Sequence, residues 1–158
     1  MQTLGFSKRF FLRRLFLACW CLFTAFAAQA EVVDIDNAAL AKLLASGVPV
    51  IDIRTSAEWE ESGIVPGSHL LTFFDERGKA DPPAWLQKAK AVAKPRDPVI
   101  VICRSGNRTK VLSQFLSQQA GYAKIYNVKD GIGAWAREGR PMIAAGPALA
   151  SCRAAGTC

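Results

Sequence analysis

Cys103 is the residue whose surroundings could do chemistry. It follows four branched apolar residues, Val99-Ile100-Val101-Ile102, and precedes Arg104-Ser105-Gly106-Asn107-Arg108-Thr109. The apolar run reads as a short strand buried on both faces, and Val111, Leu112, Phe115 and Leu116 have helical spacing. Arg104 to Arg108 must therefore turn the chain from strand end to helix start in very few residues. Such a turn points backbone N–H groups inward, Gly106 supplies the angles it needs, and the positive end of the following helix faces the same hollow. A sulfur placed there, flanked by two guanidinium groups, is favoured as the thiolate. The chemistry this predicts is nucleophilic attack by Cys103.

Spacing narrows the target. Cysteine, four residues and arginine close a six-residue cradle from Cys103 to Arg108. Cysteine-dependent phosphatases and arsenate reductases use a similar cradle with five intervening residues, and the position they need for arginine is here Thr109. The smaller ring suits one extra sulfur atom better than a tetrahedral phosphate. The loop Cys103-Arg104-Ser105-Gly106-Asn107-Arg108-Thr109 resembles the active loop of single-domain rhodaneses. Asp52-Ile53-Arg54 resembles that family's strand-end Asp-x-Arg and Glu58-Trp59 its acidic-aromatic pair. Gly63 to Ser68 is similar to its Gly-His-Ile-Pro-Gly-Ala turn, with Ile64 in place of the histidine, and Asn127 to Trp135 is similar to its closing segment. The resemblance runs from about Val32 to Pro141.

It implies an α/β fold, a single rhodanese-like domain with a five-stranded, mainly parallel sheet and helices on both faces. It also implies a thiosulfate-type sulfurtransferase needing no cofactor and no metal. Cys103 would take sulfur from a small anionic donor, carry it as a persulfide, and yield it to a small or protein-borne thiol or to cyanide. The N–H groups of residues 104–108 would hold the persulfide, Arg108 would shape the cradle and its positive field, and Arg104 would face the mouth and attract the donor. Ser105, Gly106, Asn107 and Thr109 complete the loop, with Asp52, Arg54 and Glu58 as supports. Two other readings stand beside this one: a persulfide-binding or redox partner module that turns over small donors poorly, and a phosphatase or arsenate reductase.

The elements that must position these residues can be read in order. Val32 to Ile35 makes an edge strand. Asp36 or Asn37 starts a helix carrying Leu40, Leu43 and Leu44, which Gly47 ends. Val48 to Arg54 is a buried strand on which Asp52 and Arg54 point to the same side, as alternation requires. Ser56 starts a short helix that brings Glu58 within reach of Arg54. Leu70 to Phe74 is extended. His69, the only histidine, reads as structural, so a cysteine-histidine pair is not expected. A helix from Pro83 or Ala84 to about Lys94 buries Trp85, Leu86 and Ala89. Ala123 to Val128 forms the fifth strand, and Asp130-Gly131 opens a last helix around Trp135. Alternating strands and helices predict a parallel sheet with functional loops at the carboxyl ends of its strands.

Charge and cysteines complete the picture. Four of the twenty basic residues and none of the thirteen acidic ones lie in residues 1–30, so the formal +7 falls to +3 for the rest, and no basic stripe points to nucleic acid. Residues 1–30 read as a secretory signal: a basic start at Lys8 to Arg14, an apolar run from Leu15 to Ala28, and cleavage after Ala30. Arg13-Arg14 also resembles a twin-arginine signal. The expected product is a periplasmic or secreted monomer with no membrane anchor once cleaved. Residues 31–141 are the domain and 142–158 a flexible Ala- and Gly-rich tail. Of the exported cysteines, Cys152 and Cys158 pair in the simplest arrangement and leave Cys103 reactive; in the rival arrangement one tail cysteine reaches Cys103.

Overall fold

The computed structural model describes residues 30–157; all of the signal-like segment but Ala30, and Cys158, lie outside them. Strands β1 (Glu31–Ile35), β2 (Val50–Asp52), β3 (His69–Leu70), β4 (Val99–Ile102) and β5 (Lys124–Val128) form one sheet in the order β1-β5-β4-β2-β3. Every neighbouring pair is parallel. The helices are α1 (Asn37–Ala45), α2 (Ser56–Ser62), α3 (Pro82–Val92), α4 (Asn107–Gln118), α5 (Gly131–Arg137) and α6 (Gly146–Ala155). Parallel neighbours need crossover connections, and the helices that make them cover both faces.

The central strand explains its own composition. β4 is flanked by β2 and β5, and all four of its side chains are fully buried. Val99 and Val101 point to the face covered by α3 and α4, where they pack with Trp85, Ala89, Leu112 and Leu116. Ile100 and Ile102 point to the face covered by α1 and α5, against Leu40, Ile132 and Trp135. Cys103 continues the alternation onto the α3–α4 side. Helix starts follow local chemistry: the Asp36 carboxylate accepts the Ala39 N–H at 2.8 Å, and Asp81 does the same for Ala84 at 3.1 Å, ahead of the Pro82 that opens α3. Trp85 lies in the core, its Nε1 donating to the Leu71 carbonyl at 3.0 Å.

Two expectations need correction. The extended stretch Leu70 to Phe74 is strand only at His69–Leu70, although the N–H groups of Leu71 and Phe73 still donate to Asp52 and Ile53 carbonyls at 3.0 and 3.2 Å. The tail, read as a structureless Ala- and Gly-rich stretch, carries a packed helix. Ile143 and Ile64 exchange two backbone hydrogen bonds at 2.9 and 3.0 Å, after which α6 packs Ala145, Ala148, Leu149 and Cys152 against Trp59, Ile64 and Leu70. Those four positions are spaced i, i+3, i+4 and i+7, one face of a helix. Small side chains let the helix approach closely, and burying Leu149 contributes about 2 kcal/mol. Ile64, which stands where the resembling family carries histidine, is the apolar seat for this segment.

Candidate active site

The loop after β4 closes around the cysteine. Cys103 has no exposed surface, and its Sγ accepts the Gly106 N–H at 3.2 Å. Thr109 Oγ1 lies 3.6 Å from Sγ and donates to the Gly106 carbonyl at 2.9 Å, tying the first turn of α4 to the loop. Gly106 sits at φ +86°, a left-handed conformation, and a Cβ there would fall 1.9 Å from the Lys129 carbonyl oxygen. No other residue fits that position.

The outer side of the loop is held by α5. The Ile132 N–H donates to the Cys103 carbonyl at 2.9 Å and the Gly133 N–H to the Arg104 carbonyl at 3.1 Å. With these carbonyls tied outward, the Gly106 N–H is left facing the sulfur. A Cβ on Gly131 would lie 2.5 Å from both loop carbonyls, so the chain must be glycine there as well.

A second set of contacts comes from β2 and α2. Asp52 and Arg54 form a fully buried ion pair at 2.7 Å. The remaining Arg54 donors go to Ser62 Oγ at 2.6 Å and to the Gly63 and Glu58 carbonyls at 2.8 and 3.2 Å. A buried guanidinium with every donor used fixes α2 against the carboxyl end of β2. Thr55 and Glu58 close a capping box at the helix start. From this platform the Glu58 carboxylate grips Arg108 with two hydrogen bonds, 2.8 and 2.6 Å. The expectation that Glu58 reaches Arg54 is corrected: its backbone carbonyl does, whereas its carboxylate takes Arg108. Arg108 accordingly bridges α2 to the cradle instead of serving the cradle alone.

Residues 36–138 match the family described as the rhodanese-like domain. The chain belongs to this family. It is 34% identical over 120 residues to the sulfurtransferase of Allochromatium vinosum, covering 72% of this chain and 96% of the relative. Against thiosulfate sulfurtransferase 18 of Arabidopsis thaliana it is 30% identical over 118 residues, covering 71% and 84%. Among solved structures, a rhodanese-related protein from Thermoplasma volcanium superposes with a TM-score of 0.54 at 26% identity, covering 70% of this chain and 97% of that one.

Within this rhodanese-like domain, the residues singled out in the sequence divide by exposure. Cys103, Gly106 and Thr109 are buried together; Arg104, Ser105 and Asn107 are exposed at the surface; Arg108 is half-buried on Glu58. His69 stands apart, on the edge strand, lining a hollow with α3 and α6 residues. Cys103 is a free thiol, so the arrangement in which a tail cysteine seals it is not found. Cys152 is disulfide-bonded, and its partner lies outside the described residues. Sequence reasoning missed the part played by Gly131 and Gly133, whose clue was two glycines in the first turn of a helix, where a close approach of another backbone is the usual reason for them.

The Glu58–Arg108 pair makes a testable acid limit. Burial alone would raise the Glu58 carboxyl, but the hydrogen bonds from Arg108 and the Thr55 N–H, with the charges of Arg108 and Arg54, outweigh it and hold the pKa at about 2 against an ordinary 4.5. A folded value below the unfolded one means that the pair's stabilisation is complete above pH 4.5 and drains away as pH falls toward 2. Acid unfolding of wild type and Glu58→Gln should therefore converge across that window, with the variant less stable above it. Parallel curves separated by a constant amount would show that Glu58 is not titrating against Arg108.

Proposed function

We propose that this rhodanese-like domain is a sulfurtransferase that moves sulfane sulfur from thiosulfate, or a related anionic donor, to a thiol or cyanide through a persulfide on Cys103. Relatives named sulfurtransferase support sulfur transfer as the reaction. The observation that carries the mechanism is the free Cys103 thiol at the centre of a six-residue loop, with the Gly106 N–H aimed at its Sγ. In the first half-reaction the Cys103 thiolate attacks the outer sulfur of thiosulfate. A Cys103 Sγ–S bond forms, the donor's S–S bond breaks, and its electron pair leaves on sulfite. The backbone N–H groups of residues 104–108 then stabilise the negative outer sulfur of the persulfide as an oxyanion hole stabilises oxygen. Arg104, exposed beside the loop, draws in the anionic donor. Thr109, turned inward to the Gly106 carbonyl, occupies the place where a phosphatase loop needs arginine, which favours sulfur over phosphoryl transfer. The signal-like residues 1–30 add an exported location to the proposal.

Mass spectrometry of the purified protein after thiosulfate treatment tests the mechanism. A gain of about 32 Da, one sulfur atom, on the peptide containing Cys103 is expected, removable by cyanide. An unmodified Cys103 after treatment, with donor consumed, would exclude the persulfide route.

A further inference from the structure

The chain runs on past the matched residues 36–138, and the helix it adds there, α6, has little to hold it by itself. Its ten residues fall short of the ~12–15 at which an isolated helix becomes even marginal. Ala145 offers it no side-chain cap, and Leu149 is its one fully buried side chain. Its ion pair with α2, Arg153 to Glu60 at 3.5 Å, is exposed at both ends and contributes little. The remaining tie is covalent. Cys152 is disulfide-bonded, and the cysteines outside the described residues are Cys19, Cys21 and Cys158. α6 ends in a Schellman turn: the Gly156 N–H donates to the Arg153 carbonyl at 3.1 Å and the Thr157 N–H to the Cys152 carbonyl at 2.9 Å. The chain is thus turned back onto Cys152 one residue before Cys158. Cys152 and Thr157 both line the hollow of about 400 Å³ between β3, α3 and α6, together with His69 and Lys88.

We propose that a Cys152–Cys158 disulfide at this hollow is a redox site, open to a dithiol reductant, and that it locks α6 as a clamp on the platform behind the cradle. A thiolate of the reductant attacks one sulfur of the pair, and the S–S bond breaks with its electrons on the other. The reductant's second thiol then displaces the first from the mixed disulfide. The dithiol leaves oxidised, and its two electrons and two protons leave two thiols on the protein. The Lys88 ammonium in the hollow favours the thiolate that departs. Once reduced, α6 has only its small buried face to keep it docked. The route to the cradle is short: α6 covers Trp59, and Glu58, beside it in α2, grips Arg108. Release of α6 uncovers Trp59, slackens that grip and opens a path to Cys103, which has no exposed surface while the clamp is closed. The switch is independent of which sulfur compounds Cys103 handles.

The test compares the oxidised protein, the same protein reduced with dithiothreitol and desalted, and the double variant Cys152→Ser, Cys158→Ser. Peptide mapping of the oxidised form without reductant is expected to give a Cys152–Cys158 linked peptide. Amide exchange at Leu149, whose N–H donates to the Ala145 carbonyl, should run about tenfold or more faster in the reduced and variant forms, the order expected for opening a short closed loop. Iodoacetamide labelling of Cys103, followed by mass on its peptide, should quicken about threefold or more in the same two forms. Cys152 found free or linked elsewhere in the oxidised protein, or exchange at Leu149 indifferent to reduction, would overturn the lock. Faster exchange at Leu149 with unchanged labelling of Cys103 would overturn control of the cradle. None of these readouts uses thiosulfate, so a failure of the sulfur-transfer reading, seen as no persulfide on Cys103, is told apart from a failure of this one.

Discussion

Cys103→Ser is expected to lose all transfer from thiosulfate to cyanide while keeping its fold. The loss follows from the chemistry: a serine oxygen at this position is a far weaker nucleophile and forms no persulfide. Retention of the fold follows from the geometry. The side chain is fully buried, and a hydroxyl placed there would be costly if left alone. It is not left alone, since the Gly106 N–H that donates to Sγ can donate to Oγ, and Thr109 Oγ1 is close by. With its hydrogen bonds met, the substitution should shift the melting temperature by only a few degrees. Calorimetry and a cyanide-acceptor assay on the same preparation separate the two effects. Turnover at the wild-type rate would remove Cys103 from the mechanism, and a collapse of stability would mean that the hydrogen-bond description of the loop is wrong.

Gly106→Ala carries the second large effect, on stability and activity together. The left-handed backbone costs an alanine about 1–2 kcal/mol by itself. The added methyl would also lie 1.9 Å from the Lys129 carbonyl oxygen and 2.6 Å from its carbon, both backbone atoms that cannot swing away as a side chain would. Either the loop leaves α5 or the segment joining β5 to α5 moves, and both displace the N–H aimed at Sγ. We expect a loss of roughly 4 kcal/mol or more in chemical denaturation and at least a hundredfold drop in sulfur transfer. Gly47→Ala is the control. It shares the positive φ, at +77°, but nothing lies within 4 Å of its Cβ position, so it should cost about 1 kcal/mol and leave activity alone. If the two alanines behaved alike, backbone conformation and not close packing would govern the cradle.

Much of the fold is legible in the chain because its signals are local. Four consecutive branched residues at β4, the cap at Asp36, and the loop beginning at Cys103 each speak through residues close in sequence. What could not be read depends on partners far apart. Glu58 and Arg108 are fifty residues distant, and nothing in either neighbourhood says that the carboxylate turns to the loop and not to Arg54. That choice is made by α2 lying alongside the cradle, which is a property of the strand order. The last helix was missed for another reason. Half of its buried face is alanine, so the apolar periodicity is faint, and the docking surface of Trp59, Ile64 and Leu70 exists only once the sheet has formed. Gly131 and Gly133 look like any glycine pair until the loop carbonyls arrive beside them.

The strand order has a consequence for the chain as it is made. β4 occupies the middle of the sheet, with an earlier strand, β2, on one side and a later one, β5, on the other. During synthesis Cys103 leaves the ribosome before β5, and before the Ile132 and Gly133 amides that hold its loop. A nascent chain ending anywhere short of α5 therefore carries Cys103 without the two amides that hold its loop. Its cradle is a product of the last third of the molecule, assembled by long-range pairing that ranks among the slower steps of folding. On the sulfur-transfer reading, the cradle's selectivity is therefore absent from the half-made chain and arrives only when the protein is nearly complete.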